Sequence, residues 1–102
     1  MKKPSTKKIE VKFVGFPAVY DFFKGSSIQY TFRGETLTNL IDELIAYYGE
    51  ILKKSFMIIR TQSMDPTIQA TVNGVYIKRK KFGSHLIKEG DQVSFLRLMA
   101  GG

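Results

Sequence analysis

Few groups in this sequence can do chemistry, and their scarcity is informative. Cysteine is absent, which removes disulfides, thiolate metal sites, iron–sulfur ligation and cysteine nucleophiles together. The one histidine, His85, has no second histidine or thiol to complete a metal site, so it reads as a surface residue without a role. Gly15, Gly25 and Gly34 are too widely spaced for a phosphate-binding loop or a dinucleotide fingerprint, so no bound nucleotide is expected. Two features remain. One is the basic run Lys78-Arg79-Lys80-Lys81, and the other is the closing segment Leu98-Met99-Ala100-Gly101-Gly102. Glycine is about 7% of residues on average, so two glycines close a chain by chance in roughly one case in 200. The carboxylate they carry gains meaning only from its surroundings.

The elements that would position these groups follow from periodicity. Ile9 to Phe13 and Ile28 to Phe32 alternate apolar with polar residues, the pattern of strands with one buried face. The segment between them, Val14 to Ser27, holds Gly15, Pro17 and Gly25 among Phe16, Val19, Tyr20, Phe22 and Phe23, and is read as a loop that packs locally. Leu37, Leu40, Ile41, Leu44, Ile45 and Tyr48 fall on one face of a helix, with Thr36 as N-cap, Gly49 as a left-handed stop and a further turn open at Ile51 and Leu52. This stripe is expected to be core. Phe56 to Ile59 is a strand or a buried linker, and Ser63 to Pro66 a turn. Ile68, Ala70 and Val72 alternate into the hairpin turn Asn73-Gly74 and a short strand Val75 to Ile77. After a turn at Lys88 to Asp91, Gln92 to Leu98 is the last strand, with Val93 and Phe95 on one face.

The chain has 102 residues, 43% hydrophobic and 13% aromatic, enough for one core and too few for two. Lys plus Arg is 16 against 9 for Asp plus Glu, a formal charge of +7. No apolar stretch approaches the roughly 20 residues that span a bilayer, and the Lys-rich start runs into an alternating strand, so a cytoplasmic protein without a membrane partner is expected. The expected division is a single domain, 1–102, with a flexible basic N-terminus at 1–8 and a flexible tail at 99–102. One main helix over a sheet built from an N-terminal hairpin and later strands outlines an α+β, ubiquitin-like β-grasp with a mixed sheet of four to five strands.

Val72-Asn73-Gly74, Leu86, Glu89-Gly90-Asp91-Gln92-Val93 and Gly101-Gly102, together with the first strand and Gly34-Glu35-Thr36-Leu37, resemble the ThiS/MoaD family of ubiquitin-like sulfur carriers. The resemblance implies a protein that is not an enzyme and binds no cofactor. A ThiF/MoeB-like adenylating enzyme would use ATP to activate the Gly102 carboxylate, a sulfur donor such as a cysteine desulfurase would lead to a thiocarboxylate, and a molybdopterin synthase large subunit or a thiazole synthase would accept the sulfur. Glycines at 101 and 102 carry no Cβ and can thread a narrow active site.

Phe95, Leu96, Leu98 and Met99 cannot all point inward from one strand, so one face is expected to be exposed, and the resemblance implies that the activating enzyme docks there. Burial of Leu96 and Leu98 under Phe56 to Ile59 is equally compatible with alternation. Lys78, Arg79, Lys80 and Lys81 are solvated surface or an electrostatic docking site for an acidic partner. Two other functions fit parts of the sequence: a ubiquitin-like modifier conjugated through Gly102, and a basic RNA-binding module. Nucleic acid is disfavoured, since only Tyr76 and Phe82 flank the basic run with aromatic rings.

Overall fold

The computed structural model describes residues 6–58 and 63–97. Eight residues of alternating character, Lys7–Val14, form β1, which places Ile9, Val11 and Phe13 in the core. Lys7 and Lys8, expected in a flexible arm, are therefore strand residues. A helix, α1 (Pro17–Phe23), follows where a loop was expected. Pro17 opens it rather than breaking it, because a proline in the first turn lacks only an N–H that has no helical partner there. Buried Phe16 and Val19 seat the helix, and Lys24 closes it with φ of 60°.

The next strand, β2 (Ser27–Phe32), pairs antiparallel with β1, Ile9 opposite Tyr30. Then comes α2 (Leu37–Tyr48), whose Leu37, Leu40, Ile41 and Leu44 are buried as the stripe requires, with Ile45 and Tyr48 partly so. Thr36 accepts from the Asn39 N–H, and the Asn39 side chain accepts from the Thr36 N–H, a reciprocal cap. The start of α2 is also pinned from outside: the Leu37 N–H donates to the His85 carbonyl and the Thr38 N–H to that of Phe82.

Gly49 ends α2, but with φ of 77° and ψ of −141° it does not take the left-handed cap geometry. That conformation turns the chain into a separate helix, α3 (Glu50–Phe56), in place of the expected extra turn. Leu52 and Phe56 bury its inner face. The apolar run after it gives β3 (Met57–Ile58), paired with β4 (Ser63–Met64) in a small second sheet.

From there the strands are β5 (Ile68–Val72), β6 (Val75–Ile77) and β7 (Gln92–Arg97). Asn73 and Gly74, with φ of 53° and 83°, make the tight turn between β5 and β6. The main sheet has the order β2-β1-β7-β5-β6, with β7 parallel to β1 and antiparallel to β5. The last strand thus lies at the centre of the sheet. Phe13, Phe95, Ala70 and Ile77 stand abreast in register and are all buried, forming one layer of the core against Phe56 of α3.

Candidate functional site

The central position of β7 determines how the chain reaches Gly101 and Gly102. Strands on both sides hold β7 as far as Arg97, where Val14 pairs with Leu96, and Ile68 with Arg97. The final glycines, Leu98 and Met99 lie outside the described residues, so the site is built from what surrounds residue 97.

Arg97 is the centre of that surround. One of its Nη atoms donates to the Ser55 carbonyl at the end of α3 and lies 3.9 Å from an Asp65 carboxylate oxygen. Its guanidinium covers the Phe16 ring, 4.9 Å from the centroid, a cation–π geometry. Its Nε is buried with no hydrogen-bond partner among the described residues. Asp65 is itself fixed by Thr67, whose backbone N–H (2.8 Å) and hydroxyl (2.7 Å) both donate to it. These bonds, with lesser help from Arg97 and Arg79, hold the Asp65 carboxyl below the usual carboxylate range against the cost of its burial. Gly15 closes the other side. With φ of 85° it brings its backbone so near β7 that a Cβ would fall 2.7 Å from the Arg97 carbonyl oxygen.

The outer face of the sheet at this end mixes apolar and polar residues. Val14, Leu96 and Gln69 stand side by side; Val14 is 50% exposed and Leu96 half-buried. One register step back, Lys12, Ser94, Thr71 and exposed Tyr76 continue the face. Of the residues expected to dock a partner, Leu96 takes this outward position. Phe95 does not: it is 0% exposed, in ring contact with Phe13 and Phe56 at 6.0 and 5.0 Å, because strand alternation gives its side chain to the core.

The basic run splits in the same way. All four residues, Lys78, Arg79, Lys80 and Lys81, are exposed, and residues 79–81 form a short 3₁₀ turn. The Arg79 guanidinium, however, donates to the carbonyls of Asp65 (2.9 Å) and Ile68 (2.7 Å) and covers the Phe82 ring, so it holds the β4–β5 loop and is not a free docking charge. Neither Arg97 nor Val14 was singled out from sequence. Their roles depend on partners distant in the chain, and Arg97 carried no local signal. Among the described residues, no cluster of His, Asp or Glu could hold a metal ion, and no helix is long and apolar enough to cross a membrane.

A mixed five-stranded sheet gripping a helix, with a central last strand delivering a glycine-ended segment, defines a ubiquitin-like β-grasp protein. The model of the ThiS family matches residues 14–102, and this chain belongs to that family; it is a carrier protein rather than an enzyme. Solved structures agree on the fold. SAMP1 from Haloferax volcanii superposes with a TM-score of 0.71 at 16% identity, over 93% of this chain and 99% of that one. CysO from Mycobacterium tuberculosis gives 0.65 at 19%, over 89% and 99%. Urm1 from Trypanosoma brucei gives 0.63 at 25%, over the whole of both chains. Comparison with curated protein sequences returns no match.

Proposed function

We propose that this protein is a sulfur carrier whose Gly102 carboxylate is activated by a partner. The observation that carries this reading is the family match running through Gly101 and Gly102, directly downstream of the Arg97 anchor. A carboxylate is a poor electrophile. In the proposed cycle a partner enzyme joins it to the AMP moiety of ATP, releasing pyrophosphate. A sulfide-level donor then attacks the acyl carbon, AMP leaves, and a thiocarboxylate remains. The chain itself does no bond chemistry. Its β7 and Arg97 fix the point from which the tail departs, its glycines remove side chains that would obstruct a narrow active site, and Val14 and Leu96 offer a small apolar surface beside that point for the activating enzyme. Acceptance of the sulfur by a molybdopterin-type or thiazole-type synthase belongs to the same proposal, as do a cytoplasmic location and a cysteine desulfurase as the source of sulfur, with a thiol reductant supplying the two electrons that bring its persulfide sulfur to the sulfide level.

Intact mass spectrometry tests it. After incubation with a ThiF/MoeB-like enzyme, ATP and sulfide, the expected product has gained the mass difference of oxygen to sulfur at Gly102, and loses the capacity to do so when Gly101 and Gly102 are removed. Thermal unfolding of the shortened chain is expected to match the parent. An unchanged mass, with the same enzyme active on its own carrier, overturns the proposal. Lysine conjugates that need Gly102, formed without any thiocarboxylate, assign the protein to the modifier class instead.

A further inference from the structure

The basic run holds a feature that the tail chemistry leaves unused. Lys78 and Lys81 line a cavity of about 350 Å³ together with Tyr76, Ile77, Ser84 and His85. Their spacing explains the grouping, since residues three apart in a 3₁₀ turn lie on one side of it. The next turn adds the other two: the Ser84 and His85 N–H groups both donate to the Lys81 carbonyl, at 3.1 and 2.9 Å. This backbone is anchored on two sides. Arg79 is tied to the carbonyls of Asp65 and Ile68, while the carbonyls of Phe82 and His85 accept from the Thr38 and Leu37 N–H groups that open α2. Two lysines are thus presented to one cavity from a fixed turn.

Their charge is uncompensated. From Pro66 to Lys88 the chain holds five bases, Lys78, Arg79, Lys80, Lys81 and Lys88, and no acid. No carboxylate lines the cavity. The acids that flank this stretch are engaged elsewhere: Asp65 by Thr67, Glu89 by the Lys8 N–H, and Asp91 by the Lys88 N–H and the Asn73 amide. Among the described residues, the side chains of Lys78 and Lys81 have neither an ion pair nor a hydrogen bond.

The surroundings choose among anions. Phosphate sites are commonly built from free backbone N–H groups, but those of Lys81, Phe82, Ser84 and His85 all donate to carbonyls within the turn, at 2.8 to 3.1 Å. A nucleic acid strand needs rings on which its bases stack, and Phe82 is only 4% exposed, which leaves Tyr76 alone. What the site offers is two separate ammonium groups on long stems, next to the exposed apolar side chains of Tyr76 and of Leu86, the neighbour of His85 in the chain. Carboxylates spaced along a peptide, with an apolar side chain among them, match that arrangement. We infer that this cavity binds an acidic segment of a partner protein, its carboxylates paired with Lys78 and Lys81 and an apolar residue set against Tyr76 and Leu86. The half-buried His85 ring, which its isolation in the sequence left without a role, supplies a further N–H donor. The site uses no atom of the tail and is independent of any chemistry at Gly102.

The probe is a short synthetic peptide of glutamates and aspartates around one leucine, added to the full chain without ATP or any other protein. Two-dimensional NMR is expected to show amide shifts concentrated on residues 76–86. Two double variants that remove the same charge separate the site from the overall +7. Lys78→Gln with Lys81→Gln should weaken binding about tenfold, whereas Lys53→Gln with Lys54→Gln, exposed on α3, should change it less than about twofold. All four side chains are exposed, and unchanged thermal unfolding verifies the fold. Removal of Gly101 and Gly102 should leave binding as it was, so failure here is distinct from failure of the carrier reading. Equal weakening by the two pairs, shifts confined to Val14 and Leu96, or no binding up to about 1 mM overturns the inference. Displacement of the peptide by inorganic phosphate but not by chloride of equal ionic strength, or tighter binding of a single-stranded RNA, assigns the cavity to another anion and overturns it equally.

Discussion

A single run of aromatic contacts links two regions of this molecule that have opposite exposure. At one end Phe95, Phe56, Phe13 and Phe16 are buried in mutual contact beneath the tail base. Phe23 touches Phe13 at 5.8 Å and Tyr48 at 4.8 Å, and beyond it the rings emerge at Tyr47 and Phe22. At the buried end polar groups cross-link the cover: Arg97 to Ser55 and Asp65, and Arg79 to Asp65 and Ile68. At the open end Tyr30, Glu43 and Arg33 tie the strand to the helix but leave the ring faces in solvent. The buried rings support the end of β7 through the contact between Phe16 and Arg97. The open ones have apolar area still available to something else.

The two ends should therefore respond differently to loss of a ring. Phe95→Ala is expected to cost about 3–5 kcal/mol, a large share of the roughly 5–15 kcal/mol that holds a domain of this size together. Tyr47→Ala should stay within about 0.5 kcal/mol. Urea unfolding measures both, and equal costs would show that the contrast in exposure has no energetic counterpart. Arg97→Met comes next, at about 1.5–3 kcal/mol, the range for a hydrogen bond to a charged group. Methionine keeps apolar contact with Phe16, so the loss reports the guanidinium's charge, its polar cross-link and its cation–π contact together. A sharper reading comes from combining it with a Tyr47 change: sites with no shared partner add, and these two should.

How legible these regions were from sequence differs for a physical reason. In α2, twelve residues allow the 3.6-residue period to repeat, and Thr36 announces its start. The seven residues of α1 give fewer than two turns, filled with aromatic and β-branched residues of middling helix propensity, so Pro17 and Gly25 read as loop punctuation. Gly49 was recognised as a stop, but only the observed φ and ψ reveal that it redirects the chain into α3. The sheet strands and the Asn73-Gly74 turn were readable because alternation and turn chemistry are local. The outward place of Leu96 was one of two readings that alternation allowed. Arg97 was not readable, since Ser55 lies 42 residues away from it. Glu43 carries no local signal, and its tie to Tyr30 exists only because β2 and α2 are brought side by side.

The smallest effect separates the two regions by the pH at which each weakens. Asp65, at the tail base, has its carboxyl held below the ordinary range, first by the Thr67 hydrogen bonds. A depressed carboxyl contributes stability above its unfolded value near 3.9 and loses it as the pH falls through the folded value. Tyr30, between β2 and α2, is displaced the other way, upward, first by burial and then by its hydrogen bond to Glu43. Between its unfolded value near 10 and its higher folded value, the unfolded chain has released the proton that the folded one keeps, so stability falls as the pH rises. Denaturant midpoints measured from pH 2 to 5 and from pH 9 to 12 resolve the two. Asp65→Asn should flatten the acid limb and leave the alkaline one unchanged, and Tyr30→Phe should do the reverse. Asp65 is partly exposed, and Arg97 sits 3.9 Å from it, so salt should weaken the Arg97 contribution while leaving the Thr67 bonds intact. An acid limb that disappears entirely in high salt would transfer the anchoring of Asp65 from Thr67 to Arg97, and would make the tail base an electrostatic lock rather than a hydrogen-bonded one.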